Sequence, residues 1–304
     1  MRETSPSVQH VVSIRQGVAR RKLPTRRSAL SIAQRDLSGA GIETAALDGR
    51  VLLSHVLGVS AAELYSSLYD ALNDSAYLVF RQLVERRMAG EPVAYLTGRR
   101  EFYGIDLEVC KDVLVPRPET ELLVERALAL LPPRALVADV GCGSGAIGVA
   151  VAWHRPDVRV LAIDTSPAAC RAAAGNVERL GLTSRVGVIC GDLLAPARSP
   201  LDAVLANLPY LSEADLAALS RDVRHEPRSA LDGGTDGLDL YRRLFEDLAG
   251  RRPQPAVVLC EIGPLQAEAM SGMASAALPE HRVRVLDDLA GHPRLVETVS
   301  STRA

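Results

Sequence analysis

The first third of the chain carries apolar residues at the spacing of amphipathic helices. Between residues 28 and 90 they recur every three or four positions, with short breaks between the segments. Ser60 and Glu63 have the spacing of a capping box that opens a short helix, and a later helix is expected to stop at Gly90. We therefore predict a small helical bundle over residues 28–95. The residues expected to share its buried faces are Leu47, Val51, Leu52 and Leu57 in one helix and Leu78, Val79, Leu83 and Val84 in another.

The spacing changes after this bundle, and residues 96–117 are predicted to form a β-hairpin linker. The segment "REFYGIDLEVCKDVLVP" alternates loosely between apolar and polar residues and contains the turn-forming pair Tyr103-Gly104. Pro116 and Pro118 stop this pattern. Pro118 then stands near the first position of the segment "PETELLVERALALL", whose early acidic residues are typical of a helix start.

From residue 135 onwards short apolar runs alternate with helical segments. Ser166 and Pro167 suit the N-cap and first position of one such helix, and Trp153 closes another and is expected in the core. The alternation predicts an α/β fold in which a mostly parallel sheet is covered by helices on both faces. The predicted strands are, in chain order, "ALVADV", "VRVLAID", "RVGVICGD", "LDAVLAN", "AVVLCEI", "HRVRVLDD" and "RLVETVSS".

Composition restricts the class of protein. Hydrophobic residues make up 47% of the chain and charged residues 24%, as in soluble globular proteins. No apolar run approaches the roughly 20 residues that cross a bilayer, and the basic start lacks the apolar core of a signal peptide. We expect a cytoplasmic monomer without a membrane partner. The five cysteines form no C-x-x-C pair, so neither a zinc site nor a disulfide framework is expected, and Cys110, Cys170 and Cys260 are predicted to be small core residues.

Charge is distributed unevenly. Residues 1–27 carry seven basic side chains and one acidic one, whereas the whole chain has a net charge of −2, so the remainder carries −8. This basic head is either an arm that contacts nucleic acid or the ribosome, or a disordered tail or misassigned start. Because the remainder is acidic, no direct nucleic-acid binding is expected of it.

A glycine-rich segment joins the first predicted strand of the sheet to its first helix. In "VADVGCGSGAIG" the residues Gly141, Gly143 and Gly145 permit a tight turn and close approach of a ligand to the backbone. The helix that follows offers free N–H groups and the positive end of its dipole. Gly143, Gly145 and Gly148 also match the motif G-x-G-x-x-G. The position of this motif between a strand and a helix strengthens the match. A merely tight turn is the alternative.

Acidic residues end the next two predicted strands. Asp164 follows Gly145 by 19 residues and can accept hydrogen bonds from both hydroxyls of a ribose. Asp192 ends the third strand and is predicted to face an adenine amino group. These features fit two adenosine ligands, a nicotinamide dinucleotide and S-adenosylmethionine.

The segment "NLPY" at residues 207–210 favours S-adenosylmethionine, because hydride transfer with a nicotinamide dinucleotide has no use for it. The Asn207 side-chain oxygen and the backbone carbonyl after it can each accept one N–H of a planar NH₂ group, which lets that nitrogen pyramidalise toward a methyl group. Tyr210 can stack on the planar amide or base. Catalysis would then rest on positioning and hydrogen bonding, without a metal. The alternative is a loop in which Pro209 and Tyr210 only cover the sheet end.

With these motifs in place, the chain resembles the release-factor glutamine methyltransferases, the HemK/PrmC family. The resemblance runs from about residue 30 to the C-terminus, through "EPVAYLTGRREFYG", "VPRPETELLVE", "DVGCGSGAIGVA", "ANLPYL" and "HEPRSALDGGTDGLDLYRRL". It implies a helical bundle, a hairpin linker and a seven-stranded, Rossmann-like class I methyltransferase domain over residues 118–304. It also implies methyl transfer from S-adenosylmethionine to the amide nitrogen of the glutamine in the Gly-Gly-Gln loop of peptide-chain release factors, which the bundle would grip.

The resemblance also implies roles for individual residues. Asn207 to Tyr210 would hold the target glutamine and form the catalytic loop. One departure is Leu208, where the family usually has proline; leucine also supplies a backbone carbonyl, and Pro209 still favours extended geometry at Leu208. The cofactor-binding residues expected are Gly141, Cys142, Gly143, Ser144 and Gly145 at the methionine part, Asp164 at the ribose, Asp192 and Leu193 at the adenine, and Asn207.

Other functions stay open at this point. A glutamine methyltransferase for a ribosomal protein would share this site, and an adenine-N6 DNA methyltransferase would need a basic recognition region. A non-catalytic adenosylmethionine-binding module would not need the loop from Asn207 to Tyr210. His225 either faces the active site or has a structural role in its loop.

Overall fold

The computed structural model describes residues 23–301, and its first part is a bundle of helices. Thr25 caps the first helix by accepting the backbone N–H of Ser28, so the last residues of the predicted basic head belong to the bundle. The rest of that head, residues 1–22, lies outside the described residues. The helices of this part are α1 Arg26–Gly39, α2 Ala45–Leu57, α3 Ala61–Ser66, α4 Asp74–Met88 and α5 Val93–Thr97.

The predicted capping box is present at the start of α3. The Ser60 side chain accepts the Glu63 backbone N–H, and the Glu63 carboxylate accepts the Ser60 N–H at 2.8 Å. This local prediction is confirmed because both partners are neighbours in sequence.

The predicted buried faces of α2 and α4 are partly wrong. Leu52, Leu83 and Val84 are buried as expected, but Leu47, Val51, Leu78 and Val79 are exposed. The buried stripes instead include Asp48 in α2 and Arg87 in α4, whose ion pair at 2.7 Å lies inside the bundle. A pattern based on apolar residues alone assigns these two charged positions to the surface. The buried face that it predicts for each helix is therefore turned away from the real one. The residues that these helices bury are Ala45, Asp48, Gly49, Leu52 and Leu53 in α2 and Phe80, Leu83, Val84 and Arg87 in α4.

A β-hairpin follows the bundle, as predicted. Strands β1 Arg99–Phe102 and β2 Ile105–Glu108 pair antiparallel. Tyr103 and Gly104 form the turn with φ values of 50° and 75°, the conformation that two-residue hairpin turns require. Residues 109–117 of the predicted linker are not strand.

The last part contains a seven-stranded sheet, which confirms the predicted fold class. Its strand order is β5-β4-β3-β6-β7-β9-β8, with β9 antiparallel to both neighbours and the other pairs parallel. The strands are β3 Leu136–Val140, β4 Arg159–Asp164, β5 Val186–Cys190, β6 Ala203–Ala206, β7 Val257–Glu261, β8 His281–Asp287 and β9 Pro293–Ser300. The helices are α6 Glu121–Leu130, α7 Ala146–His154, α8 Pro167–Arg179, α9 Glu213–Ala217, α10 Asp239–Gly250 and α11 Ala267–Ala277.

Hydrophobic clusters cover both faces of this sheet. Helices α6, α7 and α8 contribute to one cluster, and α10 and α11 to the other. Ser166 caps α8 and Pro167 begins it, as predicted. No helix among residues 23–301 is both long enough and apolar enough to cross a membrane.

The predictions that Trp153 and Cys110 are core residues are wrong, and that for Cys170 is only partly right. Trp153 is 49% exposed because it lies in the last turn of α7, beyond the fully buried part of that helix. Cys110 is exposed because it follows β2 in a loop, and Cys170 is only half-buried, whereas Cys260 is buried.

Candidate active site

A cleft of about 750 Å³, including its open mouth, lies at the carboxyl ends of β3, β4 and β6. This is where ligands bind in open α/β sheets. The residues that line it are Asp112, Val113, Leu114, Val140, Gly141, Gly143, Ile163, Asp164, Thr165, Ser166, Ala169, Gly191, Asp192, Leu193, Asn207, Leu208, Pro209, Ser229, Ala230 and Leu240.

The glycine loop forms one wall of the cleft. Gly141 has a φ of 73°, and a Cβ at this position would come within 2.9 Å of the Leu208 side chain. Gly141 therefore brings the loop against the residue 208 segment as no larger residue could. Gly141 and Gly143 line the cleft, whereas Cys142, Ser144 and Gly145 do not.

The remaining loop residues have structural contacts. Burial raises the pKa of the Cys142 thiol, and the Ser144 carbonyl accepts a hydrogen bond from Asn176 of α8 at 3.0 Å. Gly145 caps α7 with a φ of 80°, and a Cβ there would lie 3.2 Å from Ala173. These residues hold the loop against α7 and α8.

Gly148 completes the glycine motif for a packing reason. Its N–H donates to the Asp139 carboxylate at 2.8 Å, and a Cβ at Gly148 would come within 2.9 Å of that carboxylate and of Val160. Asp139 is fully buried, and burial raises its pKa to about 7. Sequence patterns assigned no role to this acid, although it stands in the strand just before the glycines.

Asp164 lies at the end of β4 and faces the cleft. Its two oxygens each accept one backbone hydrogen bond at 2.9 Å, from Gly143 and from Ser166. A carboxylate has about four lone-pair positions, so two acceptor positions remain for a ligand. The residue thus both orders the glycine loop and offers hydrogen-bond acceptors to a diol.

Asp192 and Leu193 line the next part of the cleft. Leu193 is 9% exposed and has a φ of 45°. The Asp192 carboxylate, by contrast, is half-exposed and forms an ion pair with Arg243 of α10. Its predicted contact with an adenine amino group would have to compete with this guanidinium.

The segment after β6 forms a second wall, which touches the glycine loop at Gly141. The Asn207 Nδ2 group donates to the hydroxyl of Thr120 at 3.2 Å, and the Leu208 N–H donates to the hydroxyl of Tyr241 at 3.2 Å. Tyr241 is fully buried and donates in turn to the backbone carbonyl of Glu261. Among residues 23–301, neither the Asn207 Oδ1 atom nor the Leu208 carbonyl accepts a hydrogen bond. Two hydrogen-bond acceptors are therefore left available at this wall.

Tyr210 does not line the cleft. Its ring lies beside Gly263, its backbone carbonyl accepts a hydrogen bond from Gln266 at 2.9 Å, and burial raises the pKa of its hydroxyl to about 12. Stacking of Tyr210 on a substrate amide stays a prediction.

A buried carboxylate lies behind this wall. Glu261 ends β7 and is 2% exposed, and burial raises its pKa to about 7 although hydrogen bonding by the side chains of Thr120 and Tyr210 lowers it. Its Oε2 atom has no partner among residues 23–301. An acid near the end of the apolar run "AVVLCEI" is the only sequence signal for it, and Thr120 lies in "PRPETE" without an assigned role.

The segment "HEPRSALDGG" is joined to the same wall. Glu226 is 6% exposed and accepts hydrogen bonds from the Val115 backbone at 3.2 Å and from Arg117 at 2.5 Å. His225 is exposed, and its ring lies 3.4 Å from the Ala89 carbonyl of the bundle. His225 therefore contacts the bundle, and Ser229 and Ala230 are the part of this segment that reaches the cleft.

Comparison with known proteins assigns the class and the family. Residues 28–98 match the family model of the PrmC N-terminal domain, and residues 118–234 match the model of the methyltransferase small domain. The catalytic domain of hMettl16, solved in complex with an RNA hairpin, shares the fold with a TM-score of 0.52 at 14% identity, over 75% of this chain and 82% of that chain. The sheet and its cleft define a Rossmann-like methyltransferase.

Two curated relatives define the family within that class. The release factor glutamine methyltransferase of Moorella thermoacetica is 43% identical over 89% of this chain and 96% of its own length. That of Cereibacter sphaeroides is 40% identical over 88% of this chain and 96% of its own length. The chain belongs to the release factor glutamine methyltransferase family.

Proposed function

We propose that this chain transfers a methyl group from S-adenosylmethionine to the side-chain amide nitrogen of the glutamine in the Gly-Gly-Gln motif of a peptide-chain release factor. The observation that carries the proposal is the pair of unused acceptors, Asn207 Oδ1 and the Leu208 carbonyl, in the cleft that the glycine loop also lines. The family relationship supports the choice of substrate.

The cleft suits the cofactor by its own geometry. Gly141 leaves the backbone open where a Cβ would collide with Leu208, and Asp164 keeps acceptor positions for two ribose hydroxyls. Gly141 and Gly143 would hold the methionine part, and Leu193 would lie beside the adenine, with Asn207 and Asp192 at the rim. When bound, the cofactor supplies a methyl group on a positively charged sulfur.

The residues around Asn207 then act on the substrate nitrogen. An amide nitrogen is a weak nucleophile because its lone pair is delocalised into the carbonyl group. If Asn207 Oδ1 and the Leu208 carbonyl each accept one N–H, the nitrogen is held in one orientation and can pyramidalise with its lone pair toward the methyl group. These acceptors are already in place before reaction, so they stabilise the transition state without reorganisation.

The same proposal divides the chain by role. Residues 28–95 would grip the release factor, residues 96–117 would link the two parts, and residues 118–304 would carry out methyl transfer. Arg87 of α4 forms ion pairs with Asp48 inside the bundle and with Asp222, at 2.8 Å, in the segment beyond the Asn207 loop. A release factor bound on the bundle would therefore be close to the cleft.

The test is transfer of labelled methyl groups to a purified release factor. We expect label on the intact factor and none on a variant in which alanine replaces the glutamine of the Gly-Gly-Gln motif. Peptide mapping by mass spectrometry should find the added mass on that glutamine. Equal labelling of both factors would refute the proposed target. Labelling only of a ribosomal protein tested in parallel would show that the substrate is the ribosomal protein.

A further inference from the structure

Thr120 lies directly behind the catalytic wall and does not line the cleft. It is the last residue of the short 3₁₀ turn Pro118–Thr120 that precedes α6, and it is 4% exposed. Its hydroxyl oxygen accepts the Nδ2–H of Asn207 at 3.2 Å, across 87 residues of sequence. This contact determines which end of the Asn207 amide points toward Thr120.

Glu261 lies on the other side of Thr120. Strands β6 and β7 pair in parallel with Ala206 opposite Cys260, so Asn207 and Glu261, the next residue in each chain segment, lie at the same level. Hydrogen bonding by the Thr120 side chain to the Glu261 carboxylate lowers the pKa of this acid. Thr120 is thus placed between an amide and a carboxylate.

A hydroxyl group has only one proton to donate. When Thr120 donates that proton to the ionised Glu261 carboxylate, its oxygen can only accept a hydrogen bond from Asn207. The Asn207 NH₂ group then has to face Thr120, and Oδ1 has to face the cleft. The opposite orientation would set the amide oxygen against the hydroxyl oxygen and would present two donors to a substrate that needs acceptors.

We propose that Thr120, oriented by Glu261, is the positioning residue that holds the Asn207 amide with its oxygen toward the substrate glutamine. This rests on the proposed function, since it concerns the same methyl transfer. Neither residue touches the substrate, and both act through Asn207.

The proposal implies a pH dependence. Burial raises the pKa of Glu261 to about 7, Glu119 raises it further, and Arg294 together with the side chains of Thr120 and Tyr210 lowers it. Below this pKa the neutral acid can donate its own proton to Thr120, which frees the hydroxyl to turn. The turnover number should therefore fall as the pH drops through about 7.

The first experiment compares two substitutions at one position. Thr120→Val removes the hydroxyl at constant shape, and Thr120→Ser keeps it. We expect Thr120→Val to lower kcat on the release factor at least about tenfold, with cofactor affinity by calorimetry within about twofold, and Thr120→Ser to stay within about threefold of the parent. Thr298→Val is the matched control, because Thr298 is also buried, bonds the Val258 carbonyl and does not line the cleft.

The second experiment measures kcat against pH at saturating cofactor in the parent chain and in Glu261→Gln. The parent should rise between roughly pH 6 and pH 8, and the variant should not. Asp139 has a similarly raised pKa, but its carboxylate bonds Gly148 of α7, the helix that follows the glycine loop. Its ionisation should therefore alter cofactor affinity and not kcat at saturating cofactor.

The outcomes separate the two proposals. A parent chain that methylates no release factor refutes the proposed function. An active parent with an equally active Thr120→Val, or with Thr120→Ser as impaired as Thr120→Val, refutes positioning by Thr120 alone. If Thr120→Val does not fold, the pH profile of Glu261→Gln decides, and an unchanged profile overturns the proposal.

Discussion

The two walls of the cleft are built differently. The cofactor wall consists of backbone held by nearby backbone and by Asp164, within one strand-loop-helix unit and the strand beside it. The substrate wall consists of Asn207 and Leu208, held by side chains from distant parts of the chain, Thr120 and Tyr241. Substitutions in the cofactor wall should therefore weaken cofactor binding. Substitutions in the substrate wall should instead lower turnover.

The largest effect is expected at Asn207. Asn207→Ala removes one of the two acceptors for the substrate nitrogen and should lower turnover by about 10²-fold or more, as for other transition-state hydrogen bonds. Cofactor affinity measured by calorimetry should stay nearly intact. A rate within a few-fold of the parent would show that this wall does not grip the amide.

Asp164→Ala tests the cofactor wall. It removes the ribose acceptors and also the two backbone hydrogen bonds that order the glycine loop, so adenosylmethionine binding should weaken by roughly 1.5–3 kcal/mol. Calorimetry on the folded variant is the measurement, and Asp164→Asn, which keeps one oxygen acceptor, serves as the control. Unchanged affinity would remove Asp164 from the site.

Tyr241→Phe tests the support behind Leu208. The substitution leaves the Leu208 N–H and the Glu261 carbonyl unpaired in the core, which should reduce the free energy of unfolding by about 1–3 kcal/mol. Urea denaturation measures this loss. Turnover should fall more than cofactor affinity, and the reverse order would contradict the division between the two walls.

The smallest effects are expected from the backbone substitutions. Leu208→Pro keeps the carbonyl but loses the N–H that bonds Tyr241, and should change turnover by up to about tenfold, or roughly 1.4 kcal/mol. Pro209→Ala makes the backbone that orients the Leu208 carbonyl more flexible, and it should lower turnover more than Leu208→Pro does. Turnover of both variants on one release factor decides the order. An inactive Leu208→Pro with a benign Pro209→Ala would give the role to the leucine side chain, which packs against Gly141.

Local patterns predicted most of the fold and half of the site. The individual strands of the sheet, the hairpin turn at Tyr103-Gly104 and the cap at Ser166 depend on residues near one another in sequence, and the structure contains them. The buried faces of α2 and α4 were partly mispredicted because an Asp48–Arg87 ion pair occupies core positions that a hydrophobic pattern assigns to solvent.

The sequence by itself determined where each wall of the cleft begins, since Gly141 and Asn207 each follow a recognisable buried strand. Only the tertiary structure decided what holds the substrate wall in place. Thr120 and Glu261 become neighbours of Asn207 because the turn before α6 and the end of β7 pack together at one edge of the sheet. Hydrogen bonds between such distant segments depend on packing, and no spacing along the chain encodes them.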